Sequence, residues 1–181
     1  DAFKTLTSIA AQAKKAGNNP EISAWCGDYV DGSVYADGSD TSQSTMKSRL
    51  ANLKSAITGN WADIEFLLAQ GNHDWSGWVA DGTLASTGAH EYDDYIMYVI
   101  NEDDFPWWQA GYMTYSDTDV CKAKVEQTAA TLKTYLDAQI AADCTKPIFI
   151  CTHVPMHWTW RSTTRASWWS DNIYAATLFN V

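Results

Sequence analysis

Three short polar segments hold most of the side chains that could do chemistry in this sequence. They read Gly-Asp-Tyr-Val-Asp-Gly at 27–32, Gly-Asn-His-Asp at 71–74 and Thr-His-Val-Pro-Met-His at 152–157. Together they supply carboxylate and amide oxygens and imidazole nitrogens. Divalent transition metals such as Mn, Fe, Zn or Co accept this mixture of ligands, whereas Ca prefers oxygen alone. The segments therefore predict a site for divalent transition metals, provided that the fold brings them together.

Each polar segment directly follows a short apolar run that is typical of a buried strand. These runs lie at 22–26, 64–69 and 148–151, and their length favours strands over helices. In open α/β sheets, ligands bind in the crevice outside the carboxyl ends of the strands. We therefore expect the three polar segments to converge on one place.

Helices are predicted in the stretches between these strands, mainly from apolar residues that recur every three or four positions. The predicted helices cover 3–13, 46–57, 92–100, 125–140 and 172–181. This alternation of helix and buried strand predicts an α/β fold with a largely parallel sheet.

Length and composition limit the classes of protein to which the chain could belong. Its 181 residues suit a single domain, and a hydrophobic fraction of 46% excludes a disordered chain. The 12 Lys and Arg against 22 Asp and Glu give a net charge of −10, which excludes a nucleic-acid scaffold and disfavours anionic membranes. No apolar run approaches the about 20 residues that span a bilayer. Few Lys and many Trp, Tyr, Ser, Thr and Asp favour an extracytoplasmic or secreted protein, with a cytoplasmic location left open.

Two cysteines end predicted strands, Cys26 at the end of the first run and Cys151 at the end of the third. Cysteine in such a position usually packs as a small hydrophobic residue. We therefore expect both side chains to be buried.

The three polar segments resemble the motifs of the calcineurin-like metallophosphoesterase family. That family's pattern is Asp-x-His, Gly-Asp-x-x-Asp, Gly-Asn-His-Asp/Glu, a lone His after an apolar strand, and Gly-His-x-His. The three middle blocks are present here, in order. The resemblance implies an α/β/β/α sandwich of two mixed sheets over a single domain, 1–181, although the alternation alone would equally suit one doubly wound sheet.

The first and last blocks of the pattern are absent from the 181 residues. We interpret this as truncation at both ends, with Asp-x-His upstream and Gly-His-x-His downstream. On this interpretation, half of the first metal's ligands are missing, and we expect the fragment alone to lack full activity.

The resemblance implies roles for five residues. Asp28 would bridge two divalent metal ions, while Asn72 and His153 would bind the second of them. His73 would face the substrate as general acid or as a stabiliser of phosphoryl charge, and Asp74 would accept its other N–H. The alternatives are a turn at Asp28 or Asn72 and a structural role for His153.

The implied reaction is metal-dependent hydrolysis of a phosphoric mono- or diester, as in phosphatases and phosphodiesterases. A metal-bridging hydroxide would attack phosphorus in line, so no protein nucleophile is required. Substrates would be small-molecule, lipid or nucleotide phosphoesters.

The segments after the motifs offer further candidates. His157 could contact the substrate or form only a local hydrogen bond. Arg161 and Arg165 could bind a substrate phosphate, although a solvated loop position is the favoured interpretation for both. Asp31 more plausibly makes turn contacts than direct metal contacts. Eight tryptophans cluster near the motifs and could form either a local core or the walls of a cleft: Trp75, Trp78, Trp107, Trp108, Trp158, Trp160, Trp168 and Trp169.

Two other functions compete with phosphoester hydrolysis. The fold could be retained in a non-catalytic module whose Trp-rich loops bind carbohydrate or cell-wall material. A metal-dependent hydrolase of another kind of ester is a weaker alternative. The presence of the two absent blocks outside this segment would favour the enzyme over the binding module.

Overall fold

The computed structural model describes residues 2–29, 40–71, 73–74, 77–104 and 118–153. The chain divides into two compact units, residues 1–85 and residues 86–181. Each unit carries its own sheet and its own apolar clusters. The predicted helix at 172–181 and the predicted Trp-rich loop at 155–171 lie outside the described residues.

The first unit contains two parallel strands and three helices. In chain order these are α1 (Ala2–Lys15), β1 (Ile22–Trp25), α2 (Asp40–Thr58), β2 (Glu65–Leu68) and α3 (Gly77–Ala80). Strand β1 pairs with β2 in parallel, from Ile22 opposite Glu65 to Trp25 opposite Leu68. Both strands therefore end at the same edge of the sheet, where the polar segments begin.

The first helix ends where the sequence predicts. Gly17 adopts a left-handed φ of 83°, and the backbone N–H of Asn18 bonds to the carbonyl of Ala13 at 3.1 Å. A second bond joins the Gly17 N–H to the Lys14 carbonyl at 3.0 Å. This pair of bonds satisfies the last carbonyls of the helix, and glycine tolerates the conformation that it requires.

The apolar stripe predicted on α2 forms the core of the first unit. Met46, Leu50 and Ile57 are all buried. Met46 and Leu50 join a cluster that also contains Leu68 and Trp78. Ile57 belongs to a second cluster, with Ala10, Trp61 and Ile64. The spacing of three and four residues thus places one face of α2 against the core, as predicted.

The second unit is built on a three-stranded sheet. Its elements are β3 (Gly88–Glu91), β4 (Ile96–Ile100), a 3₁₀ turn (Glu102–Asp104), α4 (Thr118–Ala141) and β5 (Ile148–Thr152). The strand order is β3-β4-β5, with β3 antiparallel to β4 and β4 parallel to β5. Most of the predicted stripe on α4 packs here, since Val125, Ala129 and Leu132 cluster with residues of β4. The last residue of that stripe, Ile140, is exposed instead.

The predicted helix at 92–100 is wrong. The chain instead forms a hairpin, in which Tyr92 N–H bonds to the Tyr95 carbonyl at 2.9 Å before β4 begins. All five residues of β4, the central strand of its sheet, are buried, so both of its faces are covered. A strand covered on both faces reads as a continuous apolar run, and such a run is easily mistaken for a helical pattern.

The α/β prediction with two sheets is confirmed, since helices alternate with strands in both units and the strands pair in a parallel and a mixed sheet. The single-domain prediction and the truncation at both ends stay predictions. None of the described helices combines the length and apolar character needed to cross a bilayer.

The prediction for the two cysteines is half right. Cys151 is buried within β5, whereas Cys26 is exposed. The difference has a local reason, because β1 ends at Trp25 and leaves Cys26 at the start of the polar turn.

Two truncations on α4 test the packing of the second unit. Leu132 is 1% exposed and Ile140 is 74% exposed. We expect Leu132→Ala to lower the free energy of unfolding by about 2–5 kcal/mol, through lost burial and a residual cavity. We expect Ile140→Ala, the matched control on the same helix, to change it by no more than about 0.5 kcal/mol. Urea unfolding measures both, and equal losses would contradict the assigned core face.

Candidate functional site

The first polar segment leaves β1 through a tight left-handed turn. Gly27 has a φ of 93° and Asp28 a φ of 57°. Glycine adopts this region freely, but for Asp28 it is an uncommon conformation that surrounding contacts must maintain. A Cβ added to Gly27 would lie 2.5 Å from the Gly71 nitrogen and 2.6 Å from its Cα. The turn therefore requires glycine for both space and conformation.

Gly71, at the start of the second segment, is required because it faces the first segment just as closely. A Cβ at Gly71 would collide with Oδ1 of Asp28 and lie 2.5 Å from the Asp28 nitrogen. The two glycines thus let the backbones of the two segments touch. The parallel register of β1 and β2 brings the two segments to the same edge of the sheet. Because Gly27 and Gly71 have no Cβ, the two backbones can then come into contact.

The carboxylate of Asp28 lies against the second segment. Its Oδ1 accepts a hydrogen bond from the backbone N–H of His73 at 3.0 Å. Asp28 is exposed and the side chain of His73 is half-buried. The carboxylate of the predicted metal ligand therefore contacts the backbone of the predicted substrate-facing histidine.

Asp74 joins the two segments through its own carboxylate. Its Oδ2 accepts the N–H groups of Gly71 and Asp28, each at 2.8 Å, and its Oδ1 accepts the N–H of Tyr29 at 3.3 Å. The residue is only 7% exposed. Burial raises the pKa of Asp74 to about 6, opposed by these N–H donors and assisted by the neighbouring Asp28 carboxylate. The predicted bond from the His73 ring to Asp74 stays a prediction, and the backbone contacts are a role that sequence reasoning missed.

Tyr29 is a second residue that sequence reasoning missed. Its hydroxyl lies 2.9 Å from the carbonyl of Trp25 and also within hydrogen-bonding distance of the carbonyl of Ala69. The same oxygen accepts the N–H of Gly27 at 3.1 Å. The sequence feature that could have identified Tyr29 is its position, because it is the one aromatic residue of the first polar segment and directly follows the predicted metal ligand Asp28.

The remaining predicted site residues belong to the second unit or lie outside the described residues. His153 directly follows β5 in the second unit and is half-buried. Asn72, Asp31, His157, Arg161 and Arg165 lie outside the described residues. Of the eight clustered tryptophans, Trp78 alone lies in the described part of the chain, where it is a fully buried core residue. For Trp78, the local-core interpretation is therefore the correct one.

The chemistry of the described residues suits a divalent metal ion at Asp28. An exposed carboxylate oxygen is a ligand that Mn, Fe, Zn and Mg all accept. The glycine at 71 leaves Oδ1 the space that a Cβ would occupy. Within the ranges that the structure describes, no group of three or more His, Cys, Asp or Glu gathers to hold a metal.

Comparison with protein families agrees with the geometry. The model of the calcineurin-like phosphoesterase family matches residues 1–180. The chain belongs to this family. Comparisons with curated proteins and with solved structures give no match. The family membership supports hydrolysis of phosphoesters with the aid of divalent metal ions, and it accords with the α/β fold.

Substitutions of Asp74 test its contacts with the two motifs. Asp74→Ala leaves three backbone N–H groups without their acceptor, and we expect it to lower the free energy of unfolding by roughly 3 kcal/mol. Asp74→Asn keeps one acceptor oxygen, so its loss should be smaller. Asp63→Ala, at an exposed position in the same unit, serves as the control. Chemical denaturation without added metal measures all three, and an Asp74→Ala variant as stable as the control would refute this account.

Proposed function

We propose that the protein hydrolyses phosphoric esters at a dinuclear metal centre formed with the Asp28 carboxylate. The observation that carries the proposal is the contact between the two motifs, in which Oδ1 of Asp28 accepts the backbone N–H of His73. Family membership over residues 1–180 supports the same reaction class. Asn72 and His153 are the further metal ligands proposed by resemblance.

Asp28 suits the bridging role by its chemistry and its setting. One carboxylate has two oxygens, so it can contact two cations at the about 3.5–4 Å separation of two-metal sites. The hydrogen bond from His73 orients the group, while its exposure leaves it accessible. Two bound ions would supply positive charge to the phosphoryl oxygens and make a water molecule a better nucleophile.

His73 is the proposed proton donor to the leaving group. Histidine is the side chain that most often acts as a general acid in enzymes, and an imidazole N–H can give its proton to a departing alkoxide oxygen. Its backbone is fixed by the bond to Asp28, and the adjacent Asp74 is fixed by the buried network. The backbone that carries the imidazole is therefore held next to the Asp28 carboxylate. Contacts from His157 and Arg161 to the substrate belong to the same proposal.

The proposal predicts metal-dependent hydrolysis that fails when Asp28 is altered. We expect chelation to abolish cleavage of p-nitrophenyl phosphate or its bis ester, and added Mn²⁺ to restore it. Asp28→Asn should lower kcat/KM by at least about 100-fold, because it removes a charge that the cations require. Asp63→Asn, which changes an exposed aspartate of the same unit, should leave it unchanged. The natural full-length protein is assayed beside this chain.

The role of His73 has a separate signature. A general acid contributes about 10²–10⁴-fold, and it matters most when the leaving group is a strong base. His73→Ala should therefore slow cleavage of phenyl phosphate far more than that of p-nitrophenyl phosphate. His90→Ala, whose ring bonds to the Ser86 carbonyl at 3.0 Å, is the matched control. Equal losses on both esters would refute the proton-donor role.

Two results would overturn the function itself. Activity that survives both chelation and Asp28→Asn would exclude the proposed metal centre. Tight binding of a carbohydrate or cell-wall polymer, with no hydrolysis of any phosphoester, would identify the chain as a binding module instead.

A further inference from the structure

The hydroxyl of Tyr29 occupies the point where the two parallel strands end. The carbonyl of Trp25, the last residue of β1, lies 2.9 Å from it. The carbonyl of Ala69, the first residue after β2, also accepts from it. The Tyr29 hydroxyl thus lies within hydrogen-bonding distance of a carbonyl at the end of each strand. The same hydroxyl therefore ties the first motif to both strand ends.

The hydroxyl also closes the turn around Asp28. The hydroxyl accepts the backbone N–H of Gly27 at 3.1 Å. This bond joins Gly27 and Tyr29, the two residues on either side of Asp28. Asp28 holds a φ of 57° between them. Asp is one of the few non-glycine residues that adopt this conformation, and local hydrogen bonds help to hold it there. The bond from Gly27 to Tyr29 is one of the contacts that do so.

The ring of Tyr29 is anchored independently of its hydroxyl. It is 9% exposed and belongs to the cluster that contains Met46, Leu50 and Trp78. Its centroid lies 5.7 Å from that of the Trp25 ring. Because packing fixes the ring, the oxygen is held in place, and phenylalanine could retain the packing without the oxygen.

We propose that Tyr29 is a positioning residue, whose hydroxyl holds the Asp28 carboxylate in the orientation that binds metal. The metal part rests on the proposed function, in which Asp28 is a ligand. The structural part, control of the turn, stands on the hydrogen bonds alone. Groups that orient a metal ligand without touching the metal commonly change metal affinity by about 10–100-fold when they are removed.

The Tyr29→Phe variant of the full chain tests both parts. We expect amide hydrogen exchange at Asp28 and Tyr29 to become about tenfold faster in metal-free protein, because the turn opens more often. We expect Mn²⁺ affinity, measured by calorimetry without substrate, to fall about tenfold. The free energy of unfolding is measured in parallel, so that folding and positioning are separated.

Two controls make the result specific. Tyr135→Phe removes a hydroxyl that lies 3.3 Å from the carboxylate of Glu91 in the second unit, and it should leave both readouts unchanged. Ile57→Ala destabilises the other apolar cluster of the first unit without altering a group that bonds to the turn. It should lower stability but not the Mn²⁺ affinity of the folded protein.

The outcomes separate the inference from the function on which it rests. If Tyr29→Phe changes neither exchange nor affinity, or if Ile57→Ala weakens Mn²⁺ binding equally, the positioning role is overturned and the proposed function stands. If the unsubstituted protein neither binds Mn²⁺ nor cleaves a phosphoester, the proposed function and the metal part are overturned. Faster exchange at Asp28 would then still support control of the turn by Tyr29.

Discussion

The buried carboxylate of Asp74 holds the two strand-end motifs together, because it accepts backbone N–H groups from both. Gly71 belongs to the second motif, while Asp28 and Tyr29 belong to the first. A buried carboxylate is unfavourable unless its oxygens are satisfied, and buried N–H groups are unfavourable without an acceptor. The contact therefore satisfies both sides at once. The contact also fixes the distance between the Asp28 carboxylate and the backbone of His73.

The glycines make this contact possible, and Asp28 is strained because of it. Gly27 and Gly71 approach so closely that a Cβ on either would collide with the opposite segment. With the backbones in contact, the chain must turn within two residues, and Asp28 takes a positive φ as a result. Strained conformations persist where many contacts determine them, and such positions often serve function. Here the strained residue is also the one whose side chain is proposed to bind metal.

The helices and strands of both units serve mainly to place these ends. Residues Met46, Leu50 and Leu68 pack α2 onto the sheet of the first unit. In the second unit, α4 packs on β4 through Val125 and Leu132. The parallel pair of β4 and β5 ends at Thr152, directly before His153. Both parallel pairs thus carry a proposed functional residue at their carboxyl ends, which is the position expected from α/β sheets.

The sequence by itself determined the helices α2 and α4, because a helix with one buried face repeats its apolar residues every three or four positions. The strands β1, β2 and β5 were identified by short apolar runs that end at polar segments. Periodicity failed at 92–100, because a central strand buried on both faces loses the alternation that distinguishes strand from helix. Motif identity singled out Asp28, His73 and Asp74, because their residue types and order are local information. Only the tertiary structure decided that Asp74 bonds to the backbone of both motifs and that the Tyr29 hydroxyl meets both strand ends. The contacts that link the two motifs join residues 40 or more positions apart, such as Tyr29 and Ala69 at a separation of 40 and Tyr29 and Asp74 at a separation of 45. They depend on strand register and backbone approach that no local pattern encodes.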